Sequence, residues 1–299
     1  MNRPGGFLVR MMKVTGTQPD FEVSPVEQER QAYRQRQGRR SVLISIASTF
    51  VLAALIIITL NFAPGWPRVQ ETFFSPEYFA QSFPLVLDGL WLNVRVLIYS
   101  LIGTAIFGTL LAVIRISKSP VLFPLRILAQ AYTTIMRGIP MLVVLYVIGF
   151  GIPGLGIFGR IPIEVLGTIA VTMSYSAYIA EVLRAGFQDV SPQQRASARS
   201  LGLTSGQTVR LIIIPQALRK IAPALMNDFI AMQKDVGLIS TLGAIDAVRA
   251  AQVQVALTFN FTPYIVASVL FILMSVPFII LNDWYTARLR KREQTGGMV

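Results

Sequence analysis

The chain has 299 residues, 53% of them hydrophobic and only 14% charged, with a mean hydropathy of +0.57. Soluble domains carry about a quarter of their residues as charges, so this composition describes an integral membrane protein. Cysteine and histidine are both absent, which excludes thiol catalysis, disulfides, imidazole acid–base work and the usual zinc sites. The net charge of +12 gathers beside apolar segments, and there it reports orientation in a bilayer rather than nucleic-acid binding.

A helix needs about 20 apolar residues to cross a hydrocarbon core, and six segments reach that standard. Residues 1–40 form a basic, polar tail without the cleavage pattern of a signal peptide, and Arg34, Arg36, Arg39 and Arg40 are expected to hold it in the cytoplasm. The first span, 41–62, therefore reads as a retained anchor. The second, 94–114, carries Ser100, Thr104, Gly108 and Ala112 at every fourth position, a stripe along which another helix can approach closely. Arg95, near its outer end, is expected to snorkel. The third, 122–150, is long enough to hold an interior break at 138–140 or to begin as an interfacial segment. Spans at 162–183, 221–241 and 263–283 follow. Alternation from a cytoplasmic start places Arg115, Lys118, Arg126, the stretch 184–220 and the cluster Arg288, Arg290, Lys291 and Arg292 inside. The outer side receives only Arg68, Arg160 and Arg249. The fold class is all-α integral membrane with six transmembrane helices, both termini cytoplasmic, and residues 293–299 as a short C-terminal tail.

The fifth span is the least apolar, because Asn227, Asp228, Gln233, Lys234 and Asp235 fall within it. A charge at bilayer depth costs at least about 2.5 kcal/mol, so these side chains should face a bundle interior, a partner or water. Seven-residue spacing puts Asn227 beside Lys234 and Asp228 beside Asp235 on one helical face. That face is the leading candidate for a translocation path; a structural Lys234–Asp235 pair is the competing reading. Arg137, beside Gly138 and Pro140, could brace a helix break or contact a carboxylate. Glu181 and Arg184 are three apart and could pair at the cytoplasmic end of their span.

The stretch 184–220 is long, basic and patterned for two short helices. Ser191 is placed to cap the first, with Pro192 at the first helical position and Gln194 three residues after the cap. Thr204 and Gln207 repeat the arrangement. Gly202 stands where the first helix must stop, and Pro215 should interrupt the second. A loop of this size between spans reads as a docking surface for a cytoplasmic partner.

The run Gln194, Arg195, Ala196, Ser197, Ala198, Arg199, Ser200, Leu201, Gly202, followed by Ile213, Ile214, Pro215, Gln216 and Ala217, resembles the coupling loop of binding-protein-dependent ABC permeases. Ala177, Tyr178, Glu181, Arg184 and Gly186 resemble the segment that precedes this loop in the polar amino acid importers. Tyr132, Arg137, Gly138 and Pro140 are similar to that subfamily's Tyr…Arg-Gly-Thr-Pro motif, and Lys234, Asp235, Leu238 and Ser240 to its Lys-Asp-Thr-Ser-Leu motif. The likeness covers residues 85–292 in order. It departs at Ala196 and Ser197, where the family usually has Glu-Ala, at Ile139 in place of Thr, and at Val236 and Gly237 in place of Thr-Ser.

The resemblance implies a five-helix type I importer core over 85–292, preceded by an extra helix at 41–62. It implies an amino acid substrate, a second permease chain, an extracytoplasmic solute-binding protein and a bacterial inner membrane. Cytoplasmic ATPase subunits would engage Ser191, Gln194, Ala196, Ala198, Leu201, Gly202, Leu203, Thr204 and Gln207, with Glu181 and Arg184 bracing the loop and Arg137, Asn227, Asp228, Lys234 and Asp235 on the path or gate. ATP and Mg would sit on those partners, since this chain has no Gly-Lys-Ser/Thr phosphate loop and no cofactor is expected on it. An ion-coupled secondary transporter using Asp228 and Asp235 is the alternative. Two further patterns carry less: GLGIFG at 154–159 has dinucleotide-binding spacing but joins two spans without a preceding strand, and Asn260-Phe261-Thr262 is a glycosylation sequon.

Overall fold

The computed structural model describes residues 25–296 and is helical throughout, with no strand among them. The expected cytoplasmic tail ahead of residue 25 lies outside the described residues, as do the side chains of Arg34, Arg36, Arg39, Arg290, Lys291 and Arg292. The chain divides into two compact units at Trp66 and Pro67. The first is built on α1, Pro25–Phe62, whose apolar part Arg40–Phe62 has a mean hydropathy of 2.6 and no buried residue. An apolar helix surface of this kind suits contact with lipid.

The second unit begins with α2, Trp66–Phe73, and the 41-residue α3, Pro76–Ile116, which starts with Pro76 in its first turn. At 1.5 Å per residue α3 is about 60 Å long, twice the hydrocarbon thickness. The predicted span at 94–114 is only its second half, because Glu77, Gln81 and Asp88 obscure the first half in a hydropathy reading.

α3 packs along α6, Ile163–Gln188, through the predicted stripe: Ser100, Thr104, Gly108 and Ala112 are all buried. A Cβ added at Gly108 would stand 3.1 Å from Ile179 Cβ and 3.1 Å from the Ser176 carbonyl. The small residues thus set the interaxial distance. The core lies beneath, with Leu145, Val171, Met232, Val236 and Ile239 fully buried.

The third expected span is α4, Phe123–Gly138, and α5, Met141–Gly154, bent by 111° at the predicted break. Ile139 is extended (φ −98°, ψ 130°), as the residue before a proline must be to avoid its ring. The fifth expected span is also a bent pair. It runs from α8, Ser205–Gln207, through a π-helical stretch Thr208–Ile213, α9, Ile214–Asp235, and a 3₁₀ stretch Val236–Leu242, then turns 50° into α10, Ala247–Thr258. The last helix is α11, Thr262–Gly296. Among the described residues four helices are long and apolar enough to cross a membrane, and up to six spans are reached when each bent pair counts as one.

Two readings are corrected. Pro215 does not interrupt the second loop helix: it sits in the first turn of α9, and the preceding π-turn, with Ile214 N–H donating to Val209 O, absorbs the register change that its missing N–H imposes. The second loop helix is consequently the start of the fifth span. Arg184 lies in the last turns of α6 rather than in a loop. GLGIFG is a turn, as its place between two spans without a preceding strand implies: Gly154 closes α5 and Gly156 has φ +66°. Asn260 is already committed, its Nδ2 donating to Glu71 O at 2.9 Å and its Oδ1 accepting from Thr262 N at 2.9 Å.

Candidate functional site

The helical hairpin at the end of α6 is built by local chemistry. Between α7, Pro192–Ser200, and α8 the chain makes a complete Schellman closure: Leu203 N–H donates to Ala198 O at 3.2 Å and Gly202 N–H to Arg199 O at 3.0 Å, with Gly202 at φ +83°. Thr204 and Gln207 form the expected capping box, Thr204 N–H reaching Gln207 Oε1 at 2.9 Å and Gln207 N–H reaching Thr204 Oγ1 at 3.3 Å.

The first cap differs from its prediction. Ser191 Oγ accepts from Gln193 N at 3.2 Å and donates to the Gln193 side chain, while Gln194 N–H takes the Ser191 carbonyl at 3.1 Å. Proline at N1 leaves N2 as the nearest free donor, so the serine closes on Gln193 instead of Gln194.

Ala198 is buried, and beneath the hairpin Val190, Ile213 and Ala217 form a small core. Arg195 Nη2 donates to Phe187 O at 2.6 Å and Lys220 pairs with Asp189 at 2.6 Å, which ties α7 to α6 and α6 to α9. Ala196 is exposed, and so is Leu201 at 82%, at the tip of the turn. Leu203 is half-buried.

Glu181 and Arg184 do pair, and two distant arginines join them. Glu181 Oε2 accepts from Arg184 Nε at 3.2 Å and from Arg115 Nη1 of α3 at 2.8 Å, while Arg137 of α4 stands 3.7 Å away. One carboxylate thus gathers three helices at the root of the hairpin. Arg137, expected on the path, also reaches this cluster.

The remaining polar residues of the fifth span take separate partners. Asn227 accepts from Asn282 of α11 at 2.8 Å, Asp235 accepts from Tyr175 of α6 at 2.8 Å, and Gln233 donates to Ser275 at 2.8 Å. Asp228 is half-buried, and its Oδ2 meets no protein donor. Asp235 is thus held by a tyrosine, and no Lys234–Asp235 ion pair occurs among the described residues.

Lys234 instead lines a cavity of about 760 Å³ with Tyr146, Thr241, Arg249, Gln252 and Tyr264. Two cations and several hydroxyls face this space, and among the described residues no carboxylate does. Sequence reasoning had put Arg249 in an outer loop. The missed signal is the pair Gly243 and Asp246. Gly243 takes φ +96° to end the 3₁₀ stretch, and Asp246 Oδ1 caps α10 by accepting Arg249 N–H at 2.9 Å. Asn93, also missed, locks that corner. It is fully buried, donates to Asp246 Oδ2 at 2.9 Å and Val236 O at 3.2 Å, and accepts Ala247 N–H at 3.1 Å.

The site thus consists of a capped hairpin on an ion-paired root and a polar cavity enclosed by helices. The chain belongs to the family of binding-protein-dependent transport system inner membrane components, which it matches over residues 105–291. It is 33% identical over 211 residues to the probable glutamine ABC transporter permease protein GlnM of Bacillus subtilis strain 168, covering 70% of this chain and 95% of that one. It is 32% identical over 222 residues to the probable amino-acid ABC transporter permease protein PatM of Vibrio harveyi, covering 73% and 97%. A crystal structure of an amino acid ABC transporter with histidines superposes with a TM-score of 0.64 at 33% identity, over 70% of this chain and 96% of that one. An inward-facing methionine ABC transporter, MetNI, shares the fold at 20% identity and a TM-score of 0.54, over 68% and 95%.

Proposed function

We propose that this chain is the permease subunit of an ATP-driven importer of amino acids. The relatives' names and the structural neighbour support that substrate class, and they favour it over an ion-coupled secondary transporter. The chain would pair with a second permease, receive its substrate from an extracytoplasmic binding protein and engage cytoplasmic ATPase subunits that carry ATP and Mg. Both termini would face the cytoplasm of a bacterial inner membrane, and a reporter fused after Arg40 that reads external would overturn that orientation.

The observation that carries the reading is the hairpin: an exposed Leu201 at the tip of a turn closed on both sides by backbone bonds and seated on its own core. Shifting a two-state equilibrium from 1:99 to 99:1 takes about 5.5 kcal/mol of differential interaction, so a connection of this kind must be stiff. Ser191, Ala198, Gly202, Thr204 and Gln207 supply the stiffness, and Leu201 and Leu203 the apolar contact. ATP-driven movement of the hairpin would reach the path through Glu181, which ties α6 to α3 and α4.

The solute would occupy the cavity beside Lys234, whose ammonium suits a carboxylate, while Arg249 and Gln252 face the rest of the molecule. Co-expression with the cognate ATPase and uptake into vesicles test the whole. Uptake must require ATP and the binding protein, and uptake driven by an ion gradient alone would refute the proposal.

A further inference from the structure

The transport reading leaves unused a second cavity, of about 680 Å³, at the ends of α3, α4 and α6 beside the hairpin root. Arg115, Arg126, Gln130, Arg137, Glu181 and Arg184 line it. Three of the four guanidiniums share the single carboxylate, Glu181, and Arg126 has no carboxylate partner among the described residues. Three positive charges are left uncompensated.

The arginines are also short of acceptors. The Arg115 side chain is only 5% exposed; its Nη1 reaches Glu181 at 2.8 Å and its Nη2 reaches Gln130 at 2.5 Å, but its Nε finds no protein acceptor. Arg126 donates Nη2 to Ser119 O at 3.3 Å and lies 5.6 Å over the Phe123 ring, and its Nε is likewise buried and unanswered. A buried donor without an acceptor is costly, and both arginines carry one at Nε. Forked donors of this kind fit the several oxygens of a phosphate.

The rim identifies the source of that phosphate. Val121, Phe123, Ile127 and Leu128, at the start of α4 and just before it, are 84%, 56%, 53% and 64% exposed. They form an apolar surface beside a cavity that lies at the last turns of two membrane helices. A molecule that fits both parts has an anionic head and hydrocarbon chains, and basic pockets between transmembrane helices on the cytoplasmic side recognise such headgroups.

We infer that this cavity binds an anionic phospholipid. Its phosphate lies against Arg115 and Arg126, and its acyl chains lie along the start of α4. The lipid neutralises the excess charge at the root of the hairpin and so holds Glu181 and Arg184 in place. The inference rests on the chain's crossing a membrane and not on which solute it carries.

The test uses the full chain, purified in a neutral detergent and stripped of lipid, titrated by fluorescence anisotropy with acyl-labelled phosphatidylglycerol or phosphatidylcholine. Phosphatidylglycerol should bind at least about tenfold more tightly, because both lipids carry the phosphodiester but the choline cation of phosphatidylcholine cancels its charge beside the surplus arginines. Arg126→Gln, which removes an arginine outside the Glu181 ion pairs, should abolish that preference, and Arg126→Lys should keep most of it. Inorganic phosphate should displace the lipid only at concentrations at least about a hundredfold higher, since it lacks the chains. Equal binding of the two lipids would overturn the proposal. So would an unchanged preference in a folded Arg126→Gln protein, or competition by inorganic phosphate at the lipid's own concentration.

Discussion

Gly202 allows the coupling proposal to be tested with two substitutions that differ in a single property. Its φ of +83° lies in the left-handed region, where a side chain costs roughly 1–2 kcal/mol. A Cβ added there would meet nothing within 4 Å, so the cost is conformational and not steric. Gly202→Ala should therefore shift the closed hairpin by about 1 kcal/mol, a factor of roughly five in the turn's equilibrium, and leave it mostly formed on its core of Val190, Ile213 and Ala217.

Gly202→Asp carries a backbone cost no larger, because Asp tolerates this region better than most residues. It also adds a carboxylate next to the 82%-exposed Leu201. If Leu201 enters an apolar groove on an ATPase, that carboxylate must be desolvated without a partner, a cost of several kcal/mol. Uptake should fall a few-fold at most in Gly202→Ala and more than about a hundredfold in Gly202→Asp. Co-purification of the ATPase should weaken in the same order and membrane insertion should be unchanged in both. Parent-level uptake by Gly202→Asp would refute the reasoning. Equal losses in the two variants would place the effect in the turn and not in a docked partner.

Lys234→Met removes the cavity's ammonium without orphaning Asp235, which Tyr175 holds at 2.8 Å. Uptake should drop by about ten- to a hundredfold, the worth of one charged hydrogen bond, with insertion intact; full uptake would put Lys234 off the path. Asn93→Leu leaves Asp246, Ala247 N–H and the Val236 carbonyl without their shared partner. Thermal denaturation in detergent should show a loss of more than about 3 kcal/mol, and a loss below 1 kcal/mol would mean the corner is held elsewhere. Gly108→Ala forces a methyl to 3.1 Å from Ile179 Cβ, and the same assay should record a loss of about 1–3 kcal/mol; stabilisation would show that α3 and α6 have slack at that level.

Where chemistry is local, it was legible from the residues alone. The Thr204–Gln207 box, the glycine stop at 202, the break at 138–140 and the small-residue stripe each depend on neighbours within one or two turns, and each stands as read. The Ser191 cap failed by one residue, because the choice between Gln193 and Gln194 depends on a backbone angle that the pattern does not specify.

The partners of the polar fifth span were not legible. Helical spacing placed Asn227, Asp228, Lys234 and Asp235 in adjacent rows, but it carries no information about which helix each row meets. Asn282, Tyr175 and Arg249, distant in sequence or past a bend, divide the set among a structural contact, a tyrosine clamp and the cavity.

The α10 helix was invisible for a related reason. At 12 residues it is too short for a span, and as AVRAAQVQVALT it is too apolar to read as a loop, so only its cap and the glycine before it mark its start. That short helix brings Arg249 and Gln252 to Lys234. The cavity therefore depends on the turn at 243–246, and Asn93, which pins that turn from α3, helps to shape it without lining it.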